Sequence, residues 1–381
     1  MITKSDIELS IILPCKNEEN TVGKVIKGAF DVCNKENIKV EIIIVLSKET
    51  TDASPKIAKD NGAEIFYQEN KGYGDAYLKG FEEANGKYII TMDADGQHDS
   101  REITKFYNCL KNENYDFVVG ARFKKNSVKS TSFINQYIGN PILAKTLNIL
   151  FHANFSDVMS GYRGFTRDAV KTLDLKCKGM ELTPEILIKV SKKGLRVKEI
   201  PIKTNLRVYG EPELNPLRDG WRSFRFMFLF APNWLFLIPG TIFSVIGLFL
   251  IFSILFGSLK IFGLQLDTHP MIFGAFLTII GLQTIIFGLQ SKIYSKSIGL
   301  GNESKTLKFI DKYFTLEKGT VIGLTISFIG IAILIYIFNT WLTVGFVQQI
   351  NLMLAGMTLT VLGIQIIFSS WFLSMIGIEK R

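Results

Sequence analysis

Hydrophobic positions along the chain fall into two regimes. From residue 7 to about residue 217, short apolar runs alternate with segments whose apolar positions recur every three or four residues; from 234 to 376 the apolar runs are long and continuous. In the first regime "IELSIILP" and "VEIIIVLS" are predicted strands, each followed by a helical pattern, "NTVGKVIKGAFDVCNKEN" and "DASPKIAKDNG". "AEIFYQE" is a third strand, followed by a glycine-punctuated turn and the helix "GDAYLKGFEEANG". The fourth strand, "KYIITMDAD", ends on acids. Downstream come the helix "REITKFYNCLKN", the strand "DFVVGARF", a Lys/Ser-rich loop at 123–132 expected to be mobile, the helical "PILAKTLNILF" and "TPEILIKVSKKG", and the strand "LRVKEIPIKTNLRV". Such alternation predicts an α/β domain with a mostly parallel sheet, and sheets of that kind bind ligands outside the carboxyl ends of their strands. Asp93 and Asp95 stand at such an end.

The second regime contains four candidate membrane spans, 234–256, 270–289, 319–341 and 352–376. None carries Asp, Glu, Lys or Arg, and each is long enough to cross a bilayer. The connection between the second and third spans holds Lys292, Lys296, Lys305, Lys308, Lys312 and Lys318, and the chain ends "EKR". By the positive-inside rule that connection, the C-terminus and the N-terminal domain face the cytoplasm of a multi-pass cell-membrane protein. Just before the first span, Arg218, Arg222 and Arg225 recur at i, i+4 and i+7, which puts them on one helical face, with Trp221, Phe224 and Phe228 on another. An interfacial amphipathic helix at headgroup level is expected there, either anchoring to bulk lipid or meeting one lipid phosphate. The expected organisation is therefore a cytosolic α/β domain at 1–214, an amphipathic helix at 215–232 and a membrane domain at 233–381.

Composition narrows the partners. The net charge of +9 admits an anionic membrane surface, an anionic substrate or nucleic acid. Acids are interspersed among the bases and no nucleic-acid-binding motif occurs, so nucleic acid is not an expected partner. Cys15, Cys33, Cys109 and Cys177 are widely spaced and read as reduced thiols rather than a disulfide framework. The N-terminal apolar run is short, stops at Pro14 and has acids on both sides, which fits a first strand rather than a signal peptide.

The candidate chemistry lies in "MDADGQHD". Two aspartates and a glutamine at alternate positions behind an apolar strand offer hard oxygen ligands, which suits Mg²⁺ or Mn²⁺ completed by diphosphate oxygens. His98 beside them reads as an exposed loop histidine. Together with "LPCKNEENTV", "GYGDAYLKGFEEANG", "VGARF" and "SGYRGF", this stretch resembles the inverting family 2 glycosyltransferases, the family of dolichol-phosphate mannose synthase and bacterial polyprenyl-phosphate glycosyltransferases.

The resemblance covers roughly residues 7–239 and implies a GT-A fold, a nucleotide-sugar donor and a polyprenyl or dolichyl phosphate acceptor. It places Pro14, Cys15 and Glu18 against the nucleoside, and Asp93 and Ala94 beside ribose and diphosphate. Asp95 and Gln97 would hold the metal, and Arg122 and Arg207 would meet phosphates. Two segments depart from the pattern. Ser47 and Lys48 stand where a base-reading acid is expected, and "GEPEL" puts Glu213 in place of a phosphate-binding lysine, a role that Lys203, Arg218 or Arg222 could take. A phosphate acceptor is already anionic near neutral pH, since its second pKa is about 6, and needs no general base. A lipid hydroxyl, as in diacylglycerol or ceramide, would need one, and Asp157 is the candidate. A catalytically silent sugar-nucleotide-binding scaffold is the remaining alternative. The sequence leaves sugar, base and homo-oligomerisation open.

Overall fold

A computed structural model describes residues 6–122, 135–207, 209–210, 216–255, 259–261, 264–297, 315–345 and 349–378. The loop at 123–132, Glu213, Lys305, Lys308 and Lys312 lie outside the described residues. The chain forms two compact units, Met1–Met227 and Phe228–Arg381.

The first unit is built on seven strands: β1 (Leu9–Cys15), β2 (Val40–Leu46), β3 (Glu64–Tyr67), β4 (Tyr88–Thr91), β5 (Phe117–Ala121), β6 (Arg163–Thr166) and β7 (Val197–Pro201). Their order is β3-β2-β1-β4-β6-β5-β7, and every neighbouring pair is parallel except those made by β6. Buried parallel strands have both faces covered and so read as unbroken apolar runs, as "LSIILPC" and "VEIIIVL" do. Ile11, Leu13, Ile42, Ile44 and Ile90 are almost wholly buried, each stabilising the fold by roughly 1.5–3 kcal/mol. The two polar residues inside these strands satisfy each other: Ser10 Oγ donates to Glu41 Oε1 at 2.5 Å and accepts from the Gly86 N–H at 2.7 Å. A buried acid is thereby given donors rather than left uncompensated.

Helices cover the sheet: α1 (Val22–Lys35), α2 (Ser54–Asp60), α3 (Tyr73–Glu83), α4 (Ile103–Lys111), α5 (Asn140–Phe151), α6 (Arg167–Leu173) and α7 (Leu182–Lys193). The α/β architecture and mostly parallel sheet match the sequence expectation. The short β6 was not foreseen. It enters antiparallel between β4 and β5, which brings the residues before it, Gly161 among them, to the edge where β4 and β5 end.

Helix α8 (Pro216–Leu229) corrects the expected division of faces. Trp221 is exposed alongside Arg218, Arg222 and Arg225, whereas Asp219, Ser223, Phe226 and Met227 form the buried side. The aromatic belongs to the arginine face because position 221 lies one turn from both 218 and 225.

The second unit holds α9 (Ile238–Leu255), α10 (Thr268–Ser297), α11 (Leu316–Val344) and α12 (Ile350–Ile378), with a small β8 (Leu259–Ile261) and β9 (Leu264–Leu266) ladder after α9. Among the described residues four helices are long and apolar enough to cross a membrane, at Asn233–Leu255, Thr268–Lys296, Leu316–Val344 and Ile350–Ile376, as expected. Lipid offers no hydrophobic drive for helix pairing, so close packing of small residues does the work. Gly240, Ser244 and Gly247 meet Gly274, Thr278 and Gly281 in one hairpin; Gly323, Ser327 and Gly330 meet Gly356, Thr360 and Gly363 in the other. A Cβ on any of these glycines would press on the facing helix. Between α10 and α12, Gln365 Nε2 donates to Gln283 Oε1 at 3.2 Å.

Candidate active site

The strand ends build one rim. Cys15 O, closing β1, accepts from the Ser47 N–H at 3.0 Å and so ties the ends of β1 and β2 together. Burial pushes the Cys15 thiol up to about 12, which makes it a wall rather than a nucleophile. Pro14 is half-buried beside it. Ser47 Oγ accepts from the Glu49 N–H at 3.2 Å, and Lys48 Nζ donates to Glu69 O at 3.1 Å.

The turn after β4 is held from four directions. The Asp93 N–H donates to His98 Nδ1 at 3.0 Å, and the Gln97 N–H to Asp95 Oδ1 at 3.0 Å. Thr21 Oγ1 donates to Ala94 O at 2.9 Å, and the Asn205 N–H to Gln97 O at 2.8 Å. Gly96 adopts φ +76°, which a side chain would strain. Tyr77 OH donates to Asp93 Oδ1 at 3.4 Å, and a Cβ on Gly161 would sit against both Asp93 oxygens. Burial raises the carboxyl of Asp93; burial and then the neighbouring Asp93 charge raise that of Asp95. Arg122, Arg163 and Arg207 oppose the shift at Asp93.

Two of these groups escaped the sequence. His98 is buried, not exposed: its ring lies 4.9 Å from that of Tyr162, which stacks on Phe106 at 4.4 Å. Burial brings its pKa down to about 4, so the ring is neutral at pH 7. Because Nδ1 accepts, the proton sits on Nε2, 3.7 Å from Asp93 Oδ2. Arg163 was also missed; it is buried in β6, with Nη2 donating to Val158 O at 3.1 Å, and only its place in the "SGYRGF" motif hinted at a role.

Two arginines make carboxylate ion pairs at the site. Arg207 Nη2 meets Glu18 Oε1 at 2.6 Å and Nη1 meets Asp95 Oδ2 at 3.2 Å, so one guanidinium bridges the β1 and β4 rims. Burial raises the Glu18 carboxyl against the pull of Arg207. Arg122, directly after β5, is forked on Asp157, with Nε–Oδ2 at 2.7 Å and Nη2–Oδ1 at 2.9 Å. Burial disfavours the Arg122 charge, and the Asp157 carboxylate outweighs it, holding the group above its ordinary value. Asp157 also accepts from the N–H groups of Arg122 and Met159 and is fully buried. The carboxylate expected as a general base for a hydroxyl acceptor is therefore committed to positioning Arg122. Bidentate pairing of this kind fixes a guanidinium in both place and plane.

Glu18, Asp95, Gln97 and Arg207 are thus brought together, with Asp93 and Ala94 on the same turn. Arg122 joins them through its field at Asp93. Ser47 and Lys48 stand on the rim. Arg218 and Arg222 instead flank buried Asp219, at 3.7 and 3.8 Å, and Arg225 is exposed on the same helix. A cleft of about 600 Å³ opens beside the turn, lined by Thr21, Lys24, Asp95, His98, Arg101 and Tyr209 among others.

The donor set fits a hard divalent cation. Two carboxylates, each raised by burial, gain from a cation between them, and Gln97 adds an amide oxygen. Among the described residues no group of three or more acidic, histidine or cysteine side chains is placed to hold a metal ion by itself.

The glycosyl transferase family 2 profile matches residues 10–174, and the glycosyltransferase family 2 C-terminal transmembrane region matches residues 289–377. The low-salt glycan biosynthesis hexosyltransferase of Haloferax volcanii is 34% identical over 97% of this chain and 89% of its own. The UDP-N-acetylglucosamine–dolichyl-phosphate N-acetylglucosaminyltransferase of Methanococcus voltae is 28% identical over 58% of this chain and 94% of its own. The dolichyl-phosphate hexose transferase of Haloferax volcanii is 27% identical over 56% and 89%. Crystal structures of glucosyl-3-phosphoglycerate synthase from Mycobacterium tuberculosis cover 59% of this chain and 80% of theirs at 18% identity and TM-score 0.47. The assignment rests on the full-length relative and the two profiles: the chain belongs to the membrane-bound family 2 glycosyltransferases.

Proposed function

We propose that this glycosyltransferase moves a hexose from a nucleoside-diphosphate sugar, of the GDP-mannose or UDP-glucose type, to polyprenyl or dolichyl phosphate, with inversion and with Mg²⁺ or Mn²⁺. The names of the relatives support a lipid-phosphate acceptor. The lysine-rich connection after the second span supports a cytoplasmic catalytic unit.

The observation that carries the choice of acceptor is Asp157. Both its oxygens are held by Arg122, so it is not poised to take a proton from a hydroxyl. A lipid monophosphate, with a second pKa of about 6, presents an oxyanion without help. In the transfer, that oxygen forms a bond to the anomeric carbon as the bond from that carbon to the diphosphate oxygen breaks; no proton moves. What remains is to bring anions together and to stabilise the leaving diphosphate, which positioning and fixed charge accomplish. Arg122 is oriented for the acceptor phosphate. Arg207, carried next to Glu18 and Asp95, lies on the donor side. Asp95 and Gln97, with Asp93 beside them, would hold a divalent ion, which when bound would supply charge compensation to the diphosphate.

The test is transfer of labelled sugar from a panel of UDP- and GDP-hexoses to polyprenyl phosphate in detergent, with Mn²⁺ or EDTA. Product from one donor, lost with EDTA and in Asp95→Asn, is expected. Full metal-dependent turnover by Asp95→Asn, or no product from any donor while nucleotide still binds, would overturn the proposal, the latter in favour of a silent scaffold.

A further inference from the structure

Among the described residues two lysines are buried, and the fold treats them differently. Lys189, on α7, is 5% exposed; its Nζ meets Glu185 Oε1 at 2.8 Å and donates to Asp174 O. Lys292, near the end of α10, is 8% exposed, and among the described residues no carboxylate, carbonyl or hydroxyl pairs with its ammonium. Ser295, three positions on, is also buried, and its hydroxyl is likewise unpaired among the described residues. Other hydroxyls in the spans return to the carbonyl four residues back, as Thr278 Oγ1 does to Gly274 O and Ser370 Oγ to Ile366 O, both at 2.8 Å. A buried ammonium without a counter-charge is costly. A lysine that only anchored the helix would run its stem along the apolar surface and leave its head in water. The last turn of a helix favours a cation, which offsets part of the cost, but it offers no reason to bury the group.

Lys292 and Ser295 continue the stripe through which α10 packs on the first span. Positions 278, 281, 285, 288, 292 and 295 advance alternately by three and four residues and so share one helical face. Thr278 stands against Gly247, Gly281 and Ile285 against Gly240, and Gly288 against Phe236 and Leu237. The stripe therefore runs back along the first span toward its start at Asn233, where the chain arrives from the catalytic unit. The Lys292–Ser295 end of this hairpin lies on the side of the bilayer to which the catalytic unit is attached. Residues at i and i+3 are neighbours on a helix, so an ammonium and a hydroxyl, both donors and both unpaired, stand side by side there.

We propose that Lys292 and Ser295 bind the phosphate of the polyprenyl-phosphate acceptor on the membrane unit, the ammonium and the hydroxyl donating to its terminal oxygens. This rests on the lipid-phosphate acceptor proposed above. A terminal phosphate monoester carries close to two negative charges and three unsubstituted oxygens, so it supplies the missing counter-charge and accepts from both donors. A phosphodiester headgroup carries one charge and a substituent on either side, which a lysine covered this closely disfavours.

The test measures binding of polyprenyl phosphate, of polyprenol of the same length and of phosphatidylglycerol to the full chain in detergent by native mass spectrometry. Lys292→Met should weaken polyprenyl phosphate binding roughly tenfold or more and Ser295→Ala by less, with polyprenol binding unchanged in both. Lys292→Arg, which keeps a cation, should stay within about threefold of the original. Phosphatidylglycerol should not compete. The unfolding midpoint of Lys292→Met should be unchanged or raised, whereas a lysine with a purely structural role would lower it. Should Lys292→Met not fold, reductive methylation of the unaltered protein, read by peptide mass spectrometry, takes its place: polyprenyl phosphate, and not polyprenol, should slow modification of Lys292 relative to exposed Lys59. Polyprenyl phosphate affinity in Lys292→Met within about twofold of the original, polyprenol binding lost in step with it, or equal competition by phosphatidylglycerol overturns the proposal. Lys292-dependent binding without sugar transfer would refute the proposed reaction and leave this site standing; transfer with a Lys292-independent acceptor affinity would do the reverse.

Discussion

The two arginine sites of the catalytic unit use the same side chain in opposite ways. Arg122 is forked on a fully buried aspartate that two backbone N–H groups also hold, so its position is fixed before any substrate arrives. Arg207 divides one guanidinium between Glu18 and Asp95, on a segment tied to the acidic turn after β4 through Asn205 and Gln97. One arginine has a fully buried carboxylate partner and the other two that keep slight exposure. The pairs differ in their acids: Asp157 has no exposure, whereas Glu18 and Asp95 keep about a tenth of theirs, so breaking the first pair costs more.

The largest effect that separates them is on stability. Asp157→Ala strands Arg122 in the interior and should destabilise the protein by about 3–5 kcal/mol, read as a lowered midpoint in thermal or denaturant unfolding. A loss below about 1 kcal/mol would make the pair an ordinary surface bridge. Arg207→Ala should invert the pattern: stability changes little, while kcat falls on the order of 10²–10³-fold through lost charge stabilisation, measured by steady-state transfer. Equal losses of stability in the two variants would erase the distinction. His98→Phe keeps a ring beside Tyr162 but leaves the Asp93 N–H without its acceptor, and should cost about 1–3 kcal/mol while weakening nucleotide binding.

The smallest effect is a pH-dependent one at Cys15. Its thiol is raised from an ordinary 9.0 to about 12 by burial, so the unfolded chain loses that proton first. Its contribution to stability is complete below pH 9 and is lost progressively between pH 9 and 12. Alkylation at pH 8.5, followed by mass spectrometry, should therefore leave Cys15 unmodified in the folded protein and modify it in denaturant.

Legibility followed the range of the interactions. Strands β1 to β4 and the helices between them came from periodicity, because each is specified by its own residues. The acidic turn after β4 was visible because its acids directly follow an apolar strand. Strand β6 was not, since "RGFT" carries no alternation and owes its place to pairing with β4 and β5, which are distant in sequence. The commitment of Asp157 to Arg122 crosses 35 residues, and the seat of His98 depends on Tyr162 and Phe106. No local pattern announces either. On α8 the heptad-like spacing placed the arginines on one face, but which aromatic joined them depended on what the helix packed against.

The central claim is that a phosphate oxygen, needing no protein base, is the nucleophile. The most direct measurement offers the enzyme polyprenyl phosphate and the unphosphorylated polyprenol of equal length, with the preferred sugar nucleotide and Mn²⁺, and follows labelled lipid product. Product from the phosphate alone, at a rate that tracks ionisation of the acceptor rather than of any side chain, is the predicted result. Comparable transfer to the alcohol, abolished in Asp157→Asn at unchanged stability, would contradict it and return Asp157 to the role of a base.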